Sequence, residues 1–128
     1  MITHHRSKRT VSGGRYRDYR KKRLYEKAFA PTLPKLGEPK KKDIRMFGGR
    51  MKQRVLDIDV ANVIDPKTKK FSKAKIKTIA ENPANTNYVR RNIMNKGAVV
   101  KTDLGMVRIT SRPGQHGVLN GKLIPAKK

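Results

Sequence analysis

Across residues 1 to 54 the chain sets eighteen Lys and Arg against four Asp and Glu, with only 16 apolar side chains among them. A segment so charged and so poor in apolar surface is expected to stay largely disordered in free solution and to order along a partner. The core has to come from residues 55 to 128, where 29 of 74 positions are apolar and most of the β-branched ones lie. The expected organisation is a basic, extended arm over residues 1–50 and a small core over residues 51–128. The second part is itself basic, and the 128-residue chain reaches a net charge of +24. Self-repulsion of that size opposes compaction, and a polyanion relieves it. Nucleic acid is the obvious polyanion.

Several classes of protein drop out. The first residues, MITHHRSKRT, hold no apolar run of the signal-peptide kind, and no later stretch approaches the roughly 18 apolar residues of a membrane span. These features point to a soluble cytoplasmic protein. Without cysteine there is no disulfide, no thiolate zinc site and no thiol nucleophile. Binding to a membrane surface fits poorly, because the cations are not ranged along one face of a long helix opposite bulky apolar side chains.

Residues 6 to 27 read RSKRTVSGGRYRDYRKKRLYEK, with Tyr16, Tyr19 and Tyr25 set among cations. Arg6, Lys8, Arg9, Arg15, Arg17, Arg20, Lys21, Lys22 and Arg23 can neutralise phosphates and release counterions. Tyr16 and Tyr19 can stack on unpaired bases at about 1 to 3 kcal/mol each. The competing reading is a solvated basic helix with Tyr19, Leu24 and Ala28 packed on a neighbour. Gly pairs at Gly13–Gly14 and Gly48–Gly49 permit close backbone approach or positive φ, and could equally be ordinary turns. Pro31, Pro34 and Pro39 are too closely spaced for a helix and require extended chain. Lys40, Lys41 and Lys42, then Arg45, Arg50, Lys52 and Arg54, continue the basic series.

Beyond Arg54 the pattern becomes short alternating stretches between turns. Leu56, Ile58 and Val60 alternate with Asp57 and Asp59, predicting one strand with an apolar face. Ala74, Ile76, Thr78 and Ala80 alternate with Lys73, Lys75 and Lys77, predicting a second strand. Its lysines would be roughly 6.6 Å apart, a spacing suited to phosphates, although a lysine row that shields a sheet edge explains it as well. YVRRNIM reads as a further strand, with Arg90 and Arg91 on opposite faces and at least one of them on phosphate. DLG marks a hairpin with Gly105 at positive φ, and Asn120–Gly121 a tight closing hairpin. RPGQHG reads as a type II turn about Pro113 and Gly114, presenting Arg112 and His116 to RNA. The predicted fold is mainly β, a small β-barrel of five to six short strands.

No catalytic constellation emerges. Asp57 and Asp59 could in principle hold Mg²⁺ as in a nuclease, but the converging carboxylates that such a site needs are missing, and structural ion pairing is the better reading. His4, His5 and His116 lack partners at metal-ligand spacings. Neither a P-loop nor a GxSxG motif occurs. The chain reads as a non-enzyme with no metal, no cofactor and no small-molecule substrate.

SGGRYRDYRKKRLYE, FGGRMKQRVLDIDVANVIDPKTKK and ENPANTNYVRRNIMNKGAVVKTDLGMVRITSRPGQHG together resemble the archaeal and eukaryotic family of small ribosomal subunit protein eight, in its short archaeal form. The likeness spans residues 13 to 124. It implies a non-catalytic component of the small subunit that binds its rRNA, meets neighbouring ribosomal proteins, and combines a β-rich body with a basic extension. A ribosome-assembly factor with a related core, a free-standing nucleic-acid chaperone and an Mg²⁺ nuclease are the alternatives.

Overall fold

The computed structural model describes residues 8–17, 19–26 and 30–125. The chain forms two compact units, Met1–Pro31 and Thr32–Lys128. In the first, the backbone folds back at Gly13, whose φ of 84° suits glycine. The turn is closed by the Thr10 N–H on Gly14 O (2.7 Å) and by the Arg9 guanidinium on Gly13 O (2.8 Å). A short 3-10 turn covers Leu24–Glu26.

The second unit begins with a three-stranded sheet. Strand β1 (Lys35–Leu36) runs parallel to β3 (Met51–Ile58), and β2 (Lys40–Arg45) pairs with the other edge of β3 in antiparallel sense. Lys35–Leu36 and Lys40–Arg45, on either side of Pro39, are thus extended chain paired as strands. Gly48 and Gly49, with φ of 74° and 79°, make the β2–β3 turn, and a Cβ on either would meet nothing. Positive φ, rather than close approach, is what calls for glycine there.

Five further strands close a barrel: β4 (Val60–Ile64), β5 (Phe71–Glu81), β6 (Val99–Thr102), β7 (Gly105–Ile109) and β8 (Asn120–Leu123). Successive strands are antiparallel, and β8 returns parallel to β4 to complete the circle. Alternation puts Ala61, Val63, Ala74, Ile76, Val100, Val107 and Ile109 inside, packed with Ile79, Met94, Ala98 and Leu119. Small residues recur because a barrel of so few strands has little interior to fill.

The structure departs from the sequence-based expectations at several places. Leu56, Ile58 and Val60 do not share one strand: the chain breaks at Asp59 and passes from the sheet to the barrel. Register slips opposite Lys40 and Lys41, so Val55 is the fully buried residue and Leu56 is exposed. A bulge in β5 between Ile76 and Thr78 likewise shifts the inward position to Ile79, leaving Thr78 and Ala80 outside. RPGQHG is not a type II turn, since Gly114 lacks positive φ. Instead the N–H groups of Gln115 and His116 both donate to Arg112 O at 2.8 Å, a helical sense of turn. Asn120 and Gly121 are not a hairpin but the first half of β8.

Gly121 has a steric role. A Cβ there would sit on Val107 Cγ1 and 3.1 Å from Arg108 O. Gly121→Ala should therefore destabilise the protein by about 1–3 kcal/mol, the usual range for overpacking. Gly97→Ala, with open space but a φ of 89°, isolates the backbone cost for comparison. Urea denaturation of both variants checks this, and a midpoint for Gly121→Ala equal to wild type would be inconsistent with the packing.

Candidate nucleic-acid interface

The cations anticipated as RNA contacts divide into groups that the fold treats differently. Arg6, like His4 and His5, lies outside the described residues, as does Ala28. Lys8, Arg9, Arg15, Arg17, Lys21, Lys22 and Arg23 are exposed in the first unit, as are Tyr16, Tyr19 and Tyr25. Tyr19 in particular is 86% exposed, as a stacking surface requires. Arg20 is committed locally. Its Nη1 and Nη2 donate to Glu26 Oε2 and Oε1 at 2.9 and 2.6 Å, its Nε donates to the Tyr19 hydroxyl at 3.1 Å, and its guanidinium carbon lies 5.3 Å from the Tyr19 ring centre. These hydrogen bonds, to Glu26 first and to Tyr19 next, push the Arg20 pKa up.

In the second unit Lys40, Lys41, Lys42, Arg45 and Arg50 are exposed on and beside β2. Lys52 and Arg54 on β3 are half-buried, and Lys52 Nζ donates to Gln115 Oε1 at 2.6 Å. Lys73 and Lys75 stand on the barrel's outer wall. Lys77 is the extra residue of the β5 bulge and pairs with Asp103 at 2.9 Å. The expected row of three lysines is thus two, with the third diverted by the bulge.

Arg90 and Arg91 are not on a strand. The single helical turn Asn87–Arg90, labelled α1, ends at Arg90, and Arg91 follows it. Asn85 Oδ1 accepts the Asn87 N–H at the start of this turn (2.9 Å). Its end is a left-handed cap: Asn92 has φ 52°, its N–H donates to Val89 O (3.1 Å), and the Ile93 N–H donates to Tyr88 O (2.9 Å). Ile93 is then fully buried, while both arginines are exposed. Arg112 and His116 are also exposed, with His116 Nδ1 accepting the Arg112 N–H at 3.3 Å.

The motif-like strings act largely as local pins. Buried Asn82 donates to Ile93 O (3.1 Å) and accepts from the Ala84 N–H (3.2 Å), closing the loop over residues 82–94. Ser111 Oγ accepts the Asn120 N–H (2.9 Å) and donates to Val118 O (3.3 Å), holding RPGQHG to the start of β8. Lys101, Arg108 and Lys122, all exposed on the barrel wall, are not among the residues singled out from the sequence. Strict alternation with the buried Val100, Thr102, Val107 and Ile109 is the signal that could have placed two of them.

Among the described residues, no group of three His, Asp or Glu side chains that could hold a metal ion forms, around Asp57 and Asp59 or elsewhere. Among the same residues, the carboxylates found in ion pairs are Glu26 and Asp103. No helix of the described residues is long and apolar enough to cross a membrane.

Known proteins match this chain closely. Residues 3–124 match the profile of the family described as Ribosomal protein S8e. Proteins named small ribosomal subunit protein eS8 are similar throughout. That of Picrophilus torridus is 50% identical over 119 residues, 93% of this chain and 95% of the relative. That of Methanocorpusculum labreanum is 48% identical over 124 residues, 97% of this chain and 99% of the relative. The chain belongs to the ribosomal protein S8e family.

The Arg20–Glu26 pair gives a direct test of the first unit's geometry. The Arg20 guanidinium first, and the Arg23 N–H second, hold the Glu26 carboxyl at about 2, below its ordinary 4.5. Because the folded value is lowered, the pair's contribution is present above about 4.5 and is lost as pH falls through about 2. Carboxyl ¹³C NMR titration should place the Glu26 midpoint near 2, and Arg20→Gln should return it toward 4.5. A midpoint unmoved by the substitution would show that Arg20 does not hold Glu26 in solution.

Proposed function

We propose that this protein is a structural constituent of the small ribosomal subunit, in the cytoplasm, where it binds small-subunit rRNA and stabilises its fold by binding rather than catalysis. The observation that carries the reading is near full-length likeness to proteins named for that subunit, in a chain of net charge +24. Residues 1–50 carry the larger share of the RNA contacts. Within them the exposed Arg, Lys and Tyr of the first unit meet phosphates and unpaired bases, and Lys40 to Lys42 on β2 add further phosphate contacts. Residues 51–128 supply most of the β body, including the whole barrel, and position Lys73, Lys75, Arg90, Arg91, Arg112 and His116. Neighbouring ribosomal proteins are the other partners.

Two measurements test this. The native protein should stay with mature small subunits through a moderate salt wash; recovery on precursor particles alone would identify an assembly factor, and recovery on neither a free chaperone. Affinity for small-subunit rRNA should also fall steeply with salt. Replacing Lys21, Lys22 and Arg23 together with Gln in the full chain should flatten the log–log salt slope by about 2 to 3, at roughly 0.7 to 0.9 for each phosphate that is no longer neutralised. An unchanged slope would move the RNA contacts off this part of the arm.

A further inference from the structure

Cross-strand register assembles a set of side chains on the outer wall of the barrel that the sequence keeps far apart. Phe71 on β5 lies opposite Ile64 on β4, which lies opposite Lys122 on β8, which lies opposite Arg108 on β7. Two residues along, Lys73 lies opposite Asn62, and Asn62 opposite Asn120. Between these rows is an open cleft lined by Asn62, Ile64, Phe71, Lys73, Thr110 and Asn120 among others, with no carboxylate in its walls. Asp65, adjacent in sequence, is turned into its own loop, where Oδ1 accepts the Lys67 N–H and Oδ2 the Thr68 hydroxyl, each at 2.9 Å.

Two features of this wall are unfavourable in the free protein. Phe71 is 77% exposed, most of a ring in water. Arg108 and Lys122 are like charges directly opposed across the β7–β8 ladder, both set toward solvent, an arrangement that costs stability. One ligand resolves both at once if it has a flat apolar face and an anionic backbone. The amides supply the third element. Asn62 Nδ2 donates to Asn120 Oδ1 at 3.1 Å, which fixes the two side chains and leaves the Asn62 oxygen and the Asn120 amino group as an acceptor and a donor for a ligand. That is the complement of a nucleobase edge.

We propose that the outer wall of β5, β4, β8 and β7 binds single-stranded RNA, with one unpaired base stacked on Phe71, its edge met by Asn62 and Asn120, and flanking phosphates held by Lys73, Lys122 and Arg108. This rests on the rRNA reading above and makes it specific: the barrel takes an unstacked nucleotide and not only duplex backbone. A duplex cannot use the site, because its bases are stacked on one another and their faces are covered.

The test uses the full chain with a single-stranded RNA decamer carrying a central 2-aminopurine, and with the same decamer as a duplex. Binding of the single strand should change 2-aminopurine fluorescence. Phe71→Leu should weaken single-strand affinity by about 5- to 150-fold, the range that corresponds to loss of one base–aromatic stack. Phe71→Tyr should restore it, and duplex affinity should be the same for all three proteins. Equal single-strand affinity for wild type and Phe71→Leu would overturn the proposal, as would equal losses on single strand and duplex. If Phe71→Leu fails only to enter small subunits while binding the decamer normally, the wall contacts a neighbouring protein and the proposal falls, with the rRNA reading intact. If decamer binding needs Phe71 but the protein is absent from small subunits, the wall stands as proposed and the ribosomal reading falls.

Discussion

Closure of the barrel by the parallel β4–β8 pair is the constraint on which the second unit depends. Four antiparallel strands can form by successive pairing, but they leave two edges of unpaired N–H and C=O groups. Bringing β8 beside both β4 and β7 removes both edges, and it succeeds only because the strand can lie very close to β7. Gly121 permits that approach. The Asn62–Asn120 side-chain bond and the Asn62 N–H on Leu119 O, at 2.9 Å, hold the junction from the outside and along the backbone. With the edges gone, the interior can be sealed by small and β-branched residues despite the cations on the outer wall.

Much of this is legible in the residues. Alternation in AKIK locates β5, the β-rich runs AVVKT and MVRIT on either side of the DLG step locate β6 and β7, and that step places Gly105 at positive φ, observed as 126°. What escapes is governed by interactions that period-two reasoning does not include. Two bulges move Val55 and Ile79 inward, because one unpaired residue reverses the faces of all that follow. YVRRNI has the Val and Ile of a strand. Asn85 at one end and left-handed Asn92 at the other make it a helical turn instead. Asn-Gly at residues 120 and 121 carries the composition of a hairpin, and tertiary packing against Val107 outweighs that local signal.

Legibility of the interface is uneven for a similar reason. Charge identifies a basic residue from composition alone, but whether it faces a polyanion depends on local partners. Arg20 is engaged by Glu26 and Tyr19, Lys52 by Gln115, and Lys77 by Asp103. All three stand in runs that composition treats as uniformly available. Conversely, Lys101, Arg108 and Lys122 sit singly in the sequence, and only the barrel's curvature gathers them onto one exterior.

The same closure also sets a timetable for the chain. The contact that completes the barrel joins residue 62 to residue 120, a separation of nearly half the molecule. Non-local pairing of this kind is slow, since the loop must close before any of its contacts stabilise it. During synthesis β4 emerges long before β8, and for that interval the strand presents an open edge on a chain whose cationic leader has already left the exit tunnel. Until β8 arrives, the unpaired edge of β4 is the part of the unfinished barrel most open to pairing with a foreign strand.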